Sequence, residues 1–195
     1  APAALEYYQK AVACADTTAG DCDYGTLCRI CLQTAYIFHR QKLADEELKM
    51  IHFASYYACK NKDIFRYLLS KESEKGVYYT LRDYDKVLDI CDSISSLYSY
   101  YGYERESALC LFPTIDIYFK RGNLKEANAR LYKYEKYGDI FLSSGSVKPG
   151  FELYYYYKGL YLLAGNRVDS AEYYFRKMLT GSARDEKEAA YRGLL

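Results

Sequence analysis

The sequence predicts an all-α chain built as an α-solenoid, and three observations carry that prediction. Turn-like positions Lys42, Arg82, Gly122 and Asn166 recur at steps of 40, 40 and 44 residues. The segment from Tyr118 to Ala127 reads as a helix end, a Gly-Asn turn and a second helix start. There Asn123 is placed to cap, and Glu126 stands three residues on. No proline lies between Pro2 and Pro113 in a chain of 195 residues, so long helices are permitted. A period near 40 with a helical hairpin inside each unit is the pattern of stacked repeats. The length fits one domain, 1–195, with about four complete units and partial units at both ends.

Ten helices follow in order, with bounds near 3–16, 24–41, 44–60, 62–81, 84–101, 104–121, 124–142, 150–164, 167–180 and 183–195. The first is half a unit, with Ala4, Tyr8 and Ala11 on one face. The second ends in His39-Arg40, cations suited to a helix C-terminus, and a degenerate turn at Lys42 opens the third. The turn at Arg82 separates the fourth and fifth, and Gly122-Asn123 separates the sixth and seventh. Gly165-Asn166 separates the eighth and ninth. Ser182 with Asp185 reads as a capping box for the last helix, which holds Ala189, Gly193, Leu194 and Leu195. Small or apolar residues Val87, Ala127 and Ala171 open the second helices, whereas Glu47 breaks the pattern in the first unit. The stretch from Gly138 to Gly150, with Ser143, Ser144, Gly145, Ser146 and Pro149, is the strongest loop signal, and Thr17 to Asp23 is the other. Both ends fall inside repeats, which predicts a segment of a longer protein.

Composition removes several function classes. Lys plus Arg number 27 against 26 Asp plus Glu, a formal charge of +1, so the broad positive field of a nucleic-acid-binding domain is missing. No uncharged apolar run approaches the ~18 residues of a membrane span, and Ala1-Pro2-Ala3 does not begin a signal peptide. Neither nucleic-acid binding nor membrane insertion is expected of this segment. The 7 cysteines are odd in number and scattered, unlike a disulfide framework. They lean toward a reducing compartment. The aromatic set is lopsided, with 26 Tyr, 8 Phe and no Trp. Tyrosine packs its ring while its hydroxyl reaches water or a partner, which suits half-buried and contacting surfaces. Four consecutive tyrosines, Tyr154 to Tyr157, cover every side of a helix, so some should face outward or line a groove.

Candidate chemistry is sparse. Cys28-Arg29-Ile30-Cys31 is a C-x2-C, but no second pair and no H-x3-5-H accompany it, so two small residues packing on the next helix is the simpler account. His39 and His52 lack a nucleophile and an orienting group at any telling spacing. The carboxylates alternate with bases as solvated faces, and Gly122-Asn123-Leu124-Lys125 is not a phosphate loop. No catalytic residue, metal or cofactor is expected.

These units resemble the tetratricopeptide repeat family over essentially the whole chain. The clearest match is Tyr155, Gly159, Ala171 and Phe175, followed by Leu111, Tyr118, Gly122, Ala127 and Leu131. The period exceeds the family's usual one, which longer helices or loops would explain. The resemblance implies a right-handed superhelix whose first helices line a concave face that takes a protein or peptide. Carried over, the lining would be Arg29, Leu32, Tyr36, His39 and Arg40 in the first complete unit. Leu69, Glu72, Gly76, Tyr79 and Thr80 follow in the second. The third offers Phe112, Asp116, Phe119 and Lys120, and the fourth Leu153, Tyr156, Leu160 and Leu163. The family's Lys/Asn carboxylate clamp is missing: its places hold Leu32 and Tyr36, Glu72 and Gly76, Phe112 and Asp116, Tyr156 and Leu160. The expected function is a non-catalytic scaffold. The tyrosine-rich units are also similar to repeat regions of bacterial membrane-linked regulators, which implies a sensor alternative, binding a peptide or small ligand, and a place at the cell envelope.

Overall fold

The structure is a computed structural model describing residues 2–14 and 22–181. The expected helix 183–195, with Ser182, Asp185, Ala189, Gly193, Leu194 and Leu195, lies outside the described residues. So does most of the Thr17–Asp23 loop. Ten helices run through the rest: α1 (Pro2–Cys14), α2 (Tyr24–Gln41), α3 (Ala44–Lys60), α4 (Ile64–Thr80), α5 (Tyr84–Tyr100), α6 (Glu104–Leu109), α7 (Phe112–Lys120), α8 (Leu124–Tyr137), α9 (Leu153–Ala164) and α10 (Val168–Gly181). Among the described residues the only β-type pairing is an isolated bridge between Phe141 and Val147. Helices pack as sequence neighbours, α2 on α3, α3 on α4, α7 on α8 and α9 on α10. Where one domain was expected, contacts group into two compact units, Ala1–Ile94 and Ser95–Leu195, with the boundary inside α5.

The turns share one chemistry at a finer period than the sequence announced. Lys42, Lys62, Arg82, Gly102 and Gly122, 20 residues apart, all have positive φ, between 54° and 80°, and Asn166 (56°) repeats the turn after α9. At each, two backbone bonds close the helix end. Lys42 N–H donates to His39 O (3.0 Å) and Leu43 N–H to Phe38 O (3.1 Å). The same pair recurs for Arg82 to Tyr79 (3.1 Å) and Asp83 to Tyr78 (3.0 Å), and for Gly122 to Phe119 (3.0 Å) and Asn123 to Tyr118 (2.9 Å). This is the Schellman closure, which satisfies helix-end carbonyls and favours glycine at the left-handed residue. At three of the turns the residue that follows then caps the next helix with its side chain. Asp63 accepts from Arg66 N–H (3.0 Å), Asp83 from Lys86 N–H (3.3 Å) and Asn123 from Glu126 N–H (3.2 Å). Between the Lys42 and Gly122 turns each stretch is therefore a 20-residue module, and two modules make the 40-residue hairpin.

Non-glycine residues at these turns carry a conformational cost of about 1–2 kcal/mol each, partly offset by the unfolded-state freedom that glycine adds. The Lys62→Gly, Arg82→Gly double variant is accordingly expected to gain about 1–2 kcal/mol in urea unfolding. A loss there would contradict the turn assignment.

Helices α2 and α3 coincide with their expected bounds, whereas the other helices differ at one end or both, four times for a clear physical reason. Residue 62 is not helical, because Lys62 holds the left-handed turn and Asp63 the cap of α4. The expected helix 104–121 is broken at Cys110-Leu111 into α6 and α7. Pro113 lies in the first turn of α7, where its missing N–H costs nothing, whereas a continuous helix would drive its ring into the Leu109 carbonyl. The expected helix 124–142 stops at Tyr137. Gly138 fits the turn because a Cβ there would stand 2.5 Å from Tyr134 O. The helix expected from 150 begins at Leu153, because residues 139–152 form an ordered return. Lys148 N–H donates to Ile140 O (2.8 Å) and Leu142 N–H to Ser146 O (2.8 Å). Ile140 is fully buried.

Within each unit the repeat register is also a burial register. On the second helices of the hairpins, Ile51, Cys91, Leu131 and Phe175 are equivalent and buried, as are Ala54, Ile94, Tyr134 and Met178. In the first unit Cys28 and Cys31 pack with Leu27, Ala54, Tyr57 and Ala58. In the second, Ile115, Leu131, Tyr134, Ile140 and Met178 form the core with Tyr154, Tyr155 and Tyr157. Here the sequence reading of Tyr154–Tyr157 is corrected, since none of the four is exposed. Tyr154 donates to Glu135 Oε1 (2.5 Å), and Tyr155 Oη accepts from Val147 N–H (3.0 Å). These bonds give the Tyr154 and Tyr155 hydroxyls polar partners inside, with Tyr157 buried beside them and Tyr156 half-buried.

Candidate functional site

In the first unit, α2 and α4 present side chains to a common cleft of about 720 Å³, which Tyr8 of α1 also lines. Its walls include Arg29, Leu32 and Tyr36 from α2, with Leu69 from α4, all four at expected lining positions. Sequence reasoning missed Gln33, Ile37, Phe65 and Arg66, which lie one residue along or one turn away on the same faces. Tyr36 is 61% exposed, Phe65 72% and Leu69 45%. Three large apolar side chains left open on one cleft form a patch of the kind that marks interaction sites. At one end Asp63 caps α4 and pairs with the Arg66 guanidinium. Arg29 makes a long contact to Thr26 Oγ1 (3.4 Å).

The other expected residues of this unit are spread more widely. Arg40 is exposed near the end of α2, and Glu72 pairs with Lys75 along α4. Tyr79 stacks edge-on against Tyr84, ring centres 5.9 Å apart. His39 turns toward α3, where its Nδ1 meets Glu47 Oε1 at 3.1 Å and Oε2 at 3.3 Å. Glu47, the residue that broke the repeat pattern, is 8% exposed. A second pair lies on the next interface: His52 Nε2 meets Glu74 Oε1 at 3.3 Å, and Lys71 donates to Glu74 Oε2 at 2.7 Å. Both histidines of the chain thus serve buried glutamates.

Burial pushes the Glu47 carboxyl above its ordinary range, and His39 only partly offsets this. A carboxyl raised on folding contributes stability that is complete below its unfolded pKa and is lost as pH rises through the folded value. The isosteric Glu47→Gln variant is therefore expected to equal the wild type near pH 4 and to exceed it at neutral pH. Urea titrations at both pH values check this, and a neutral-pH deficit would contradict it.

In the second unit the expected residues Phe112, Phe119 and Tyr156 are half-buried against its core. Phe112 lies 4.8 Å from the Tyr134 ring, Phe119 stacks on Tyr157 (6.0 Å), and Tyr156 meets Phe175 (6.1 Å). Asp116 pairs with Lys120 at 2.6 Å. These aromatics act mainly as packing.

The Cys28/Cys31 pair and Ser107 are enclosed, whereas Cys14 and Cys59 are exposed. Cys28 and Cys31 are fully buried, and desolvation raises both thiols, Cys31 to about 12, which disfavours the reactive thiolate. Ser107, unremarked in the sequence, meets Lys133 Nζ at 2.8 Å. However, it is fully buried and donates to Ser95 O (2.8 Å) while Ser95 donates to Ser107 O (3.0 Å). That Ser–Lys contact locks helices together and cannot meet a substrate. Among the described residues no three His, Cys, Asp or Glu side chains converge as metal ligands, and no helix is long and apolar enough to cross a membrane.

No protein-family model matches the chain, and no curated protein matches it in sequence. Among solved structures it is similar in fold to BtubC (BKLC) from P. vanneervenii. The TM-score is 0.70 at 13% identity, covering 95% of this chain and 72% of that one. At that identity the likeness concerns the fold: an all-helical chain whose helices pack in neighbouring pairs.

Proposed function

We propose that this chain is a non-catalytic scaffold that binds a protein or peptide segment, built as a right-handed, tetratricopeptide-like α-solenoid. The α2/α4 cleft is its docking surface. One observation carries the reading: Arg29, Leu32, Tyr36 and Leu69, from the first helices of consecutive hairpins, line a single open cleft with Phe65. A solenoid cannot bury its inner face against itself, so aromatic side chains held there are available to a partner. The 20-residue turn register and the equivalent buried positions support the repeat architecture, and the fold likeness to BtubC agrees with it. Enclosure of the Cys28/Cys31 pair and of Ser107 supports a binding role over a catalytic one.

Selection of displayed peptides on the wild-type chain, followed by binding to a Tyr36→Ala, Phe65→Ala variant, tests this. The reading expects selected peptides to lose the variant. Peptides that bind both equally would overturn it.

A further inference from the structure

One group of residues in the first hairpin departs from the repeat together. His39, Lys42 and Glu47 occupy places that hold Tyr79, Arg82 and Val87 in the next hairpin, then Phe119, Gly122 and Ala127, then Leu163, Asn166 and Ala171. Only the first set combines an imidazole, an ammonium and a carboxylate. All three line a cavity of about 480 Å³ enclosed by the end of α2, the start of α3 and the end of α4. Ala44, Val77 and Leu81 supply its apolar wall, and Thr80 adds a hydroxyl.

The polar groups are committed unequally. Both Glu47 oxygens are engaged by His39 Nδ1, at 3.1 and 3.3 Å, which fixes the ring and leaves its other nitrogen without a partner among the described residues. Thr80 donates to Gly76 O at 3.0 Å, so its oxygen can still accept. Lys42, exposed on its left-handed turn (φ 59°), lines the cavity and has no side-chain ion pair or hydrogen bond among the described residues. His39 thus holds the buried carboxylate, and the charged side chain at the cavity without a partner among the described residues is Lys42. A buried acid where the repeat wants Val or Ala lowers neutral-pH stability, and such local departures concentrate at functional sites. The volume falls in the range of small-ligand sites.

We propose that this cavity binds a short aliphatic carboxylate. The carboxylate lies against the Lys42 ammonium and the hydrocarbon against Ala44, Val77 and Leu81, while Glu47 holds His39 as a fixed polar wall. This site is separate from the α2/α4 cleft, and the proposal stands independently of peptide binding there.

The test is a titration of the ¹⁵N-labelled chain with 4-methylpentanoate and with 4-methylpentanamide, its neutral isostere. Saturable shifts are expected at Lys42, Thr80, Leu81 and the His39 ring with the acid, and binding at least about tenfold weaker with the amide. Lys42→Asn removes the ammonium while keeping a residue that tolerates positive φ, and it should weaken the acid by a similar factor. No saturable shift up to about 10 mM acid would overturn the proposal. So would equal binding of acid and amide in the wild type, a result independent of how any variant folds. Undiminished binding by a folded Lys42→Asn chain would overturn it as well.

Discussion

Replacing Phe175 with alanine is expected to destabilise the Ser95–Leu195 unit by about 3–5 kcal/mol, a large part of the 5–15 kcal/mol of a typical domain. Phe175 is 1% exposed and packs with Leu162 and Ala171 where α9 meets α10. The same contact explains Gly159. A Cβ there would stand 2.5 to 2.8 Å from the Phe175 ring, so the two helices approach closely only because position 159 has no side chain. Gly159→Ala gains about 1 kcal/mol of helix propensity but overpacks a site that cannot yield, at a cost of 1–3 kcal/mol. A net loss of about 1 kcal/mol is expected. In a Phe175→Leu background the ring is gone, so the same change should become neutral or favourable. Urea unfolding of the four proteins measures this coupling, expected at about 1–2 kcal/mol. Additive effects would contradict the hairpin contact.

The second large effect is on binding. Tyr36→Ala and Phe65→Ala should each weaken a peptide selected on the wild type by about 2 kcal/mol, roughly 30-fold. Both side chains are more than half exposed, so folding stability should stay within about 0.5 kcal/mol. Leu124→Ala and Val168→Ala, in the second unit at 40% and 54% exposure, should change neither quantity. Isothermal titration with each variant separates a cleft that recognises a ligand from apolar surface that is merely sticky. Equal losses at all four positions would favour stickiness.

Much of the fold was legible in the sequence because the hairpin turns repeat and the helices between them run without proline. Helices α2 and α3 ended where expected, since the Lys42 turn interrupts an otherwise continuous pattern. The 20-residue register was not legible. Its marker is a backbone conformation, and Lys42, Lys62, Arg82, Gly102 and Gly122 share φ but little side-chain chemistry. The break at Cys110-Leu111 is hard to see in the sequence, although Pro113 marks it, because apolar residues continue across it.

The candidate site divided by unit. Arg29, Leu32, Tyr36 and Leu69 were located by family resemblance and converge on one cleft. Phe112, Phe119 and Tyr156 sit at corresponding places but go half inside, because Tyr134, Tyr157 and Phe175 offer rings to pack against. Glu47 was legible as a break in the pattern. Its partner His39, eight residues earlier on the facing helix, was not, because only the α2–α3 turn brings the two together.

A photo-crosslinker placed at positions 36, 65, 132 and 173 tests the docking surface most directly. Tyr132 and Tyr173, at 58% and 54% exposure, are about as open as Tyr36 but lie on α8 and α10. If the α2/α4 cleft holds the ligand, a selected peptide crosslinks from 36 and 65 and not from 132 or 173. Crosslinks of equal yield from all four positions would show that exposed aromatics, and not the cleft, hold it.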